Sequence, residues 1–259
     1  MKACYHTHTK RCRHAVGEDE EYVKAAIAAG VEILGFADHA PMIYPGDYVS
    51  YYKMRPEEID EYFSSLLSLR EKYRGEIEIK IGFETAYYPD LWDSALNFWS
   101  KYPLDYLILG QHFLSGERYL SDAHYSGEPS DSHQALSTYV DRLITAMNTG
   151  KISYVAHPDL FNFTGDVEIY KKEMRRVITE AMRLDIPLEL NLLGLSEGRP
   201  YPKEVFWREV GELGAVTVIG CDAHSPERVA KGEELIAAKR YAEGCGLTVA
   251  DKITLRPVF

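Results

Sequence analysis

The side chains best suited to chemistry stand at the ends of short apolar runs. His6-Thr7-His8 closes the run at 2–6, Asp38-His39 the run at 33–39, and Gly82-Phe83-Glu84 the run at 77–84. Gly110-Gln111-His112 closes 106–112, Ala156-His157-Pro158 closes 152–157, and Cys221-Asp222-Ala223-His224 closes 216–222. The run at 188–192 offers only Glu189 and Asn191, weaker candidates. Six of the nine histidines thus fall at such ends. A single histidine there is ordinarily a structural residue. Six of them together with Glu84 and Asp222 point to a metal site. Alternate side chains of an extended chain share a face, so His6 and His8 can approach one cation from one side, and Asp222 and His224 repeat the device. Imidazole suits Zn, Mn, Fe or Co, and a carboxylate can bridge two ions. With His14 the set holds seven histidines and two carboxylates, too many for one tetrahedral ion and enough for two or three. Clustered divalent ions favour in-line displacement at phosphorus.

The elements that must position these residues follow from the pattern between the runs. Each run is short, rich in Ile, Leu, Val, Phe or Tyr, and reads as a strand buried on both faces. Helical segments are expected at 19–29, 56–73, 134–148, 168–184, 202–213 and 226–243, with a weaker one at 91–99. Most begin at Pro or an acidic residue and end before Gly. Strand followed by helix, seven times over, predicts an α/β fold with a parallel sheet and helices outside it. The carboxyl ends of parallel strands share one face, so residues far apart in sequence should converge there. Periodicity alone leaves a closed barrel and an open doubly wound sheet both available.

Composition sets the outer limits. The chain of 259 residues is 46% apolar and 27% charged, ordinary for a globular protein, and is expected to form a single domain over 1–259. Its net charge of −11 argues against binding nucleic acid through global electrostatics and leaves room for a local anion site. No stretch of 18 apolar residues marks a membrane span, and the first residues lack the apolar run of a signal peptide. Cys4, Cys12, Cys221 and Cys245 form no C-x-x-C pair, so reduced, mostly buried thiols and a cytoplasmic location are expected. No oligomeric state is read from the sequence.

In combination, HTH at 6–8, ADH at 37–39, GFE at 82–84, GQHF at 110–113, AHPD at 156–159 and CDAHS at 221–225 resemble the polymerase-and-histidinol-phosphatase (PHP) superfamily. The resemblance covers essentially the whole chain. It implies a distorted (βα)7 TIM-like barrel with a trinuclear metal site at the carboxyl ends of the strands. By resemblance, His6, His8, Glu84 and Asp222 bind a first ion. Glu84 bridges to a second held by His112 and His157, and His14, His39 and His224 hold a third. GQHFL, YVAHPDLFNF and CDAHSPE resemble the histidinol-phosphatase branch in particular. That branch hydrolyses L-histidinol phosphate to L-histidinol and phosphate in histidine biosynthesis, with a hydroxide bridging the metal ions attacking phosphorus. Glu84, Asp222, His224 and Asp38 are the residues expected to serve catalysis. The proton for the leaving group could come from a metal-bound water, Asp38 or a ligand histidine. The alternatives are a PHP phosphoesterase for another small phosphomonoester or nucleotide, a phosphotyrosine phosphatase, or a non-catalytic PHP module.

A phosphate monoester also needs cationic partners, and the planar fork of arginine suits phosphate oxygens. By resemblance Arg199 is the first choice. Arg13 and Arg118 follow, and Lys10 and Arg11 lie in the same loop as Arg13. Asn191 opens from its strand onto the site and either contacts substrate or caps a helix. Asp38 either orients a neighbouring ligand or makes a plain structural hydrogen bond. His124 either touches substrate or is a plain loop residue, and His133 reads as a surface or capping residue. Phe113, Tyr87 and Tyr88 either stack on a substrate ring or line a wall.

Overall fold

A computed structural model describes residues 1–117 and 123–259. Each expected apolar run supplies a strand: β1 (Ala3–Cys4), β2 (Ile33–His39), β3 (Glu78–Thr85), β4 (Tyr106–Leu109), β5 (Ile152–Val155), β6 (Leu188–Asn191) and β7 (Val216–Gly220). An eighth, β8 (Thr248–Val249), was not anticipated, because two exposed residues carry no apolar signal. All pairings are parallel and run in sequence order from β1 to β8. Beyond the strand ends the sheet curls back on itself. His8 N donates to Ala223 O at 2.9 Å and Ala223 N to His6 O at 3.3 Å, which joins the continuations of β1 and β7. The expected distorted barrel is therefore the architecture found, with β8 lying beside the amino half of β7.

The two ends of the barrel differ. Toward the amino end its interior is filled by Tyr5, Tyr106, Ile108, Tyr154 and Val218, and Ile253 and Leu255 of the C-terminal tail pack against them. The tail is tied down where Arg256 N donates to Ser153 Oγ at 2.9 Å. This end is an apolar plug, which leaves the carboxyl end for polar chemistry.

The helices cover the outside. They are α1 (Asp19–Ala28), α2 (Ile59–Lys72), α3 (Pro89–Trp99), α4 (His133–Asn148), α5 (Val167–Leu184), α6 (Leu192–Glu197), α7 (Glu204–Leu213) and α8 (Gly232–Cys245). In α5 the Asp166 side chain accepts from Glu168 N and Ile169 N, and the stripe Met174, Val177, Ile178 and Ala181 is buried, as its spacing predicts. Three expectations need correction. The helix expected over 226–243 is interrupted: Pro226–Arg228 forms a 3-10 turn, Val229 is extended, Ala230 is left-handed at φ 51°, and α8 begins only at Gly232. Pro56–Glu58 is likewise a 3-10 turn before α2. Helix α6 was missed, since six residues are too few to display a periodic stripe. All four cysteines are free thiols, and no helix among the described residues is long and apolar enough to cross a membrane.

Candidate metal centre

The nine residues expected as metal ligands converge at the carboxyl end of the barrel, around the carboxylate of Glu84, the last residue but one of β3. His157 Nε2 lies 2.8 Å from Glu84 Oε1 and His112 Nε2 3.7 Å from it. On the other oxygen, Oε2, His39 Nδ1 lies at 2.9 Å, His6 Nε2 at 3.6 Å and His8 Nε2 at 3.7 Å. Asp222 Oδ1 is 3.0 Å from His8 Nε2 and 3.5 Å from both His6 Nε2 and His224 Nδ1. The His14 ring completes the group, 4.6 Å from the His224 ring and 5.2 Å from that of His39. The ligand atoms of His6, His8 and Asp222, of His6, Glu84 and His157, and of His8, His39 and His224 each lie within 4.8 Å of one another.

Local backbone explains the convergence. His157 and Asp222 both have positive φ, 31° and 48°, at the point where a strand ends. Non-glycine residues in that region carry strain that surrounding structure must hold, and such residues gather at functional sites. Two glycines make room for carboxylates. A Cβ at Gly110 would stand 1.9 Å from Glu84 Oε1, and one at Gly220 would stand 1.7 Å from Glu189 Oε1.

A second layer of buried groups aims the cluster. Glu189, a weaker candidate in the sequence, is fully buried. It accepts from His157 N at 3.1 Å and from Asn191 Nδ2 at 2.9 Å, and its Oε1 lies 2.7 Å from His6 Nδ1. Asn191 also donates to Asp222 Oδ2 at 3.2 Å and accepts from Gly194 N at 2.9 Å, capping α6. Asp38 accepts from the Thr9 hydroxyl and from His39 N at 2.8 Å, and stands 3.5 Å from His8 Nδ1. Carboxylates behind ligating imidazoles fix ring orientation and tautomer.

The electrostatics suit divalent cations. Burial opposes ionisation of Glu84, yet the imidazoles of His112, His39 and His6 hold its carboxyl well below the usual range. Asp222 is held low in the same way against its burial by His6, His8 and His224. Burial drives His112 and His224 down to about 3 and His39 well below its ordinary value, so these rings are neutral, the form that binds metal. Burial also opposes charging of His6 and His8, but the facing carboxylates raise both well above the ordinary value. A cation placed among them would take over the role of those protons. The Nε2 atoms of His6, His8 and His224 and Nδ1 of His157 are buried and in hydrogen-bond geometry with no partner among the described residues. Ring nitrogens in that condition cost free energy unless something coordinates them. The donor set therefore fits divalent transition metals.

A cavity of about 440 Å3 opens directly over the cluster. His14, His39, His112, Asp222 and His224 form its floor, and Tyr51, Tyr52, Phe113, Tyr125 and Tyr201 an aromatic wall. Behind the wall Lys53 and Glu117 form a buried pair, Nζ to Oε1 3.1 Å, with the ammonium over the Tyr52 ring at 5.6 Å. Arg199 lines the cavity as expected. Other expected partners of the substrate are placed elsewhere. Arg13 turns to Glu58 Oε2 at 2.5 Å and does not line the cavity. Arg11 is buried against Asp19 and Glu61, and Lys10 pairs with Glu18 on the surface. Asn191 and Asp38 sit beneath the histidine–carboxylate cluster, each spent on the hydrogen bonds above, and neither reaches the cavity. Arg118 lies outside the described residues. His133 opens α4 and bonds Glu173 Oε1 at 3.1 Å, while the cap itself is Ser132. Phe113 is a wall residue, and Tyr87 and Tyr88 are not among the lining groups. Glu197, Tyr201 and Arg228 line the cavity although the sequence reading passed over them. Arg228 was hidden by the assumption that Pro226 starts a helix.

Fold and site together define a class: parallel α/β barrels with a buried histidine–carboxylate centre at the carboxyl end. A model of the PHP domain family matches residues 5–192, and the chain belongs to that family. It is 26% identical over 229 residues to the probable histidinol-phosphatase of Deinococcus radiodurans, covering 86% of each chain. To the probable histidinol-phosphatase of Schizosaccharomyces pombe it is 26% identical over 273 residues, covering 96% of this chain and 88% of the relative. Among solved structures, the histidinol phosphate phosphatase of Lactococcus lactis, complexed with zinc, L-histidinol and phosphate, superposes with a TM-score of 0.73. That superposition covers 99% of this chain and 97% of the other at 17% identity, a likeness of fold.

Proposed function

We propose that the protein is a metal-dependent phosphoric monoester hydrolase that converts L-histidinol phosphate to L-histidinol and phosphate, a step of histidine biosynthesis. The observation that carries this reading is the set of nine metal-capable side chains, Glu84 and eight around it, with unpartnered ring nitrogens, beneath a cavity of about 440 Å3. His6, His8, Glu84 and Asp222 would hold one ion, Glu84, His112 and His157 a second, and His14, His39 and His224 a third. Two or three ions are expected, of Zn, Mn, Fe or Co. Lewis acidity at the phosphoryl group is what ions held there supply. The chain does the rest. Glu84 and Asp222 stay ionised among imidazoles. Glu189, Asn191 and Asp38 fix the orientation of His6, Asp222 and His8. The aromatic wall narrows access of water, and Arg199 meets phosphate oxygens from the rim with its planar fork. Matches over 86% and 96% of this chain to relatives named as probable histidinol-phosphatases support the choice of substrate.

The test is phosphate release by the metal-reconstituted protein. We would compare kcat/KM for L-histidinol phosphate with that for sugar phosphates, nucleotides, phosphotyrosine and a nucleic-acid diester. A preference for L-histidinol phosphate of at least about 100-fold, roughly 2.7 kcal/mol of discrimination, supports the assignment. A better rate on another member removes the substrate and keeps the hydrolase.

A further inference from the structure

Two guanidinium groups reach the cavity rim from different parts of the chain. Arg199 follows α6, and Arg228 closes the 3-10 turn after β7. One carboxylate holds both. Glu197 Oε2 accepts from Arg199 Nε at 3.0 Å and from its second terminal nitrogen at 2.8 Å, while Oε1 accepts from Arg228 at 2.9 Å. Arg199 also donates to Tyr201 OH at 3.1 Å, and Arg228 to Ser196 Oγ at 3.2 Å. Behind them Glu234 lies 3.8 Å from Arg228 and 3.5 Å from Lys231. The group therefore sets three cations against two carboxylates, in a chain whose overall charge is −11. Two of these cations, Arg199 and Arg228, line the cavity itself.

The valences matter as much as the charge. Each guanidinium has five N–H groups in a rigid fork. Glu197, Tyr201 and Ser196 take only part of them, so N–H groups of both remain for an oxygen in the cavity. A phosphate monoester ends in three non-bridging oxygens with two charges. It can face the histidine cluster and still offer oxygen to both arginines. A diester has two such oxygens and one charge, so with one oxygen on the histidine cluster it leaves only one for the two arginines.

Resting on the phosphatase reading above, we propose that Arg228 is the second half of a two-arginine clamp for the terminal phosphate. Glu197 is the positioning residue that presets both guanidinia, and the clamp makes the site select monoesters over diesters. A lone Arg199 would hold phosphate without that discrimination.

The experiment uses zinc-loaded wild type, Arg228→Ala, Arg228→Lys and Glu197→Gln, each checked for metal content and melting temperature. Substrates are p-nitrophenyl phosphate, bis(p-nitrophenyl) phosphate and L-histidinol phosphate, and binding of inorganic phosphate is read separately by calorimetry. Arg228→Ala is expected to raise KM for both monoesters about tenfold, with kcat less affected, and to weaken phosphate binding in step. The diester rate stays near wild type, so the monoester-to-diester ratio falls about tenfold. Arg228→Lys recovers part of the loss, since it restores charge but not the fork. Glu197→Gln weakens both monoesters equally. Unchanged KM, phosphate affinity and ratio in Arg228→Ala overturn the clamp. A Glu197→Gln loss confined to L-histidinol phosphate overturns the positioning role, because Glu197 would then bind the substrate's ammonium group. If loaded wild type releases phosphate from no ester, the phosphatase reading fails, and calorimetry with inorganic phosphate still decides for or against the clamp.

Discussion

Replacing Gly110 with alanine adds one methyl group beside the carboxylate on which the centre depends. The new Cβ would stand 1.9 Å from Glu84 Oε1, 2.6 Å from Cδ and 2.9 Å from Cγ. Ordinary contact begins at 3.4 Å, so Oε1 must retreat by about 1.5 Å. Metal–ligand distances hold to within about 0.2 Å, and the retreat exceeds that tolerance several times over. Glu84 touches His157 and His112 through this oxygen, so the loss falls on the region between those rings. Disturbing the support of a ligand costs about 10- to 100-fold in metal affinity. If Glu84 is shared by two ions as proposed, displacing it should cost at least the upper figure, about 2.7 kcal/mol. The fold suffers less, since one extra methyl in a filled interior costs about 1–3 kcal/mol. The assay is metal content by mass spectrometry after dialysis against a weak chelator, with thermal melting of the metal-free forms alongside. Gly110→Ala should fold and lose metal. A variant that keeps the wild-type metal complement and turnover would refute the central place given to Glu84.

Four further outcomes follow from the same geometry. His8→Ala and Asp222→Ala should each abolish phosphate release in a protein that still folds by circular dichroism. More than about a tenth of the wild-type rate, a difference of only 1.4 kcal/mol, would mean the site is misplaced. Arg199→Ala should raise KM chiefly, and steady-state kinetics with an unchanged KM would remove Arg199 from the phosphate clamp. Lys53→Met leaves the buried Glu117 carboxyl, which burial pushes up to about 9, with only the Tyr44 and Tyr48 hydroxyls as partners and should cost about 1–3 kcal/mol in urea denaturation, whereas the double variant Lys53→Met/Glu117→Leu recovers part of it. An uncoupled, additive pair of losses would contradict the ion pair. Burial pushes the Asp159 carboxyl up to about 6, above its unfolded value, so its contribution is present at low pH and is lost as pH rises through about 6. Melting curves should therefore show Asp159→Asn gaining on wild type across that range, and a constant offset would count against the shift.

The parts legible in the sequence were those carried by strand ends. Buried parallel strands advertise themselves as continuous apolar runs, and a His, Asp or Glu that ends one stands out. Eight of the nine ligand candidates gather in the structure for that reason, while His14 lies in the loop after β1 and was marked out by the family resemblance. The supporting layer was less visible. Glu189 and Asn191 lie inside an apolar run, and only three-dimensional placement shows Glu189 beneath His6 and His157. The phosphate side was the least legible, because loop arginines have no period to read. Arg13 and Arg11 stand close in sequence to His14 yet turn to Glu58, and to Asp19 and Glu61. Arg228 reaches the cavity because Val229 and Ala230 break what Pro226 appeared to begin, a backbone choice that residue types alone do not announce.

The most direct measurement is a titration of the metal-free protein with zinc, reading bound metal and phosphate release from L-histidinol phosphate on the same samples. The account predicts negligible release without metal. Release should then rise with binding and level off once two or three ions are bound per chain. Full turnover by the metal-free protein, or none with the centre fully loaded, would contradict it.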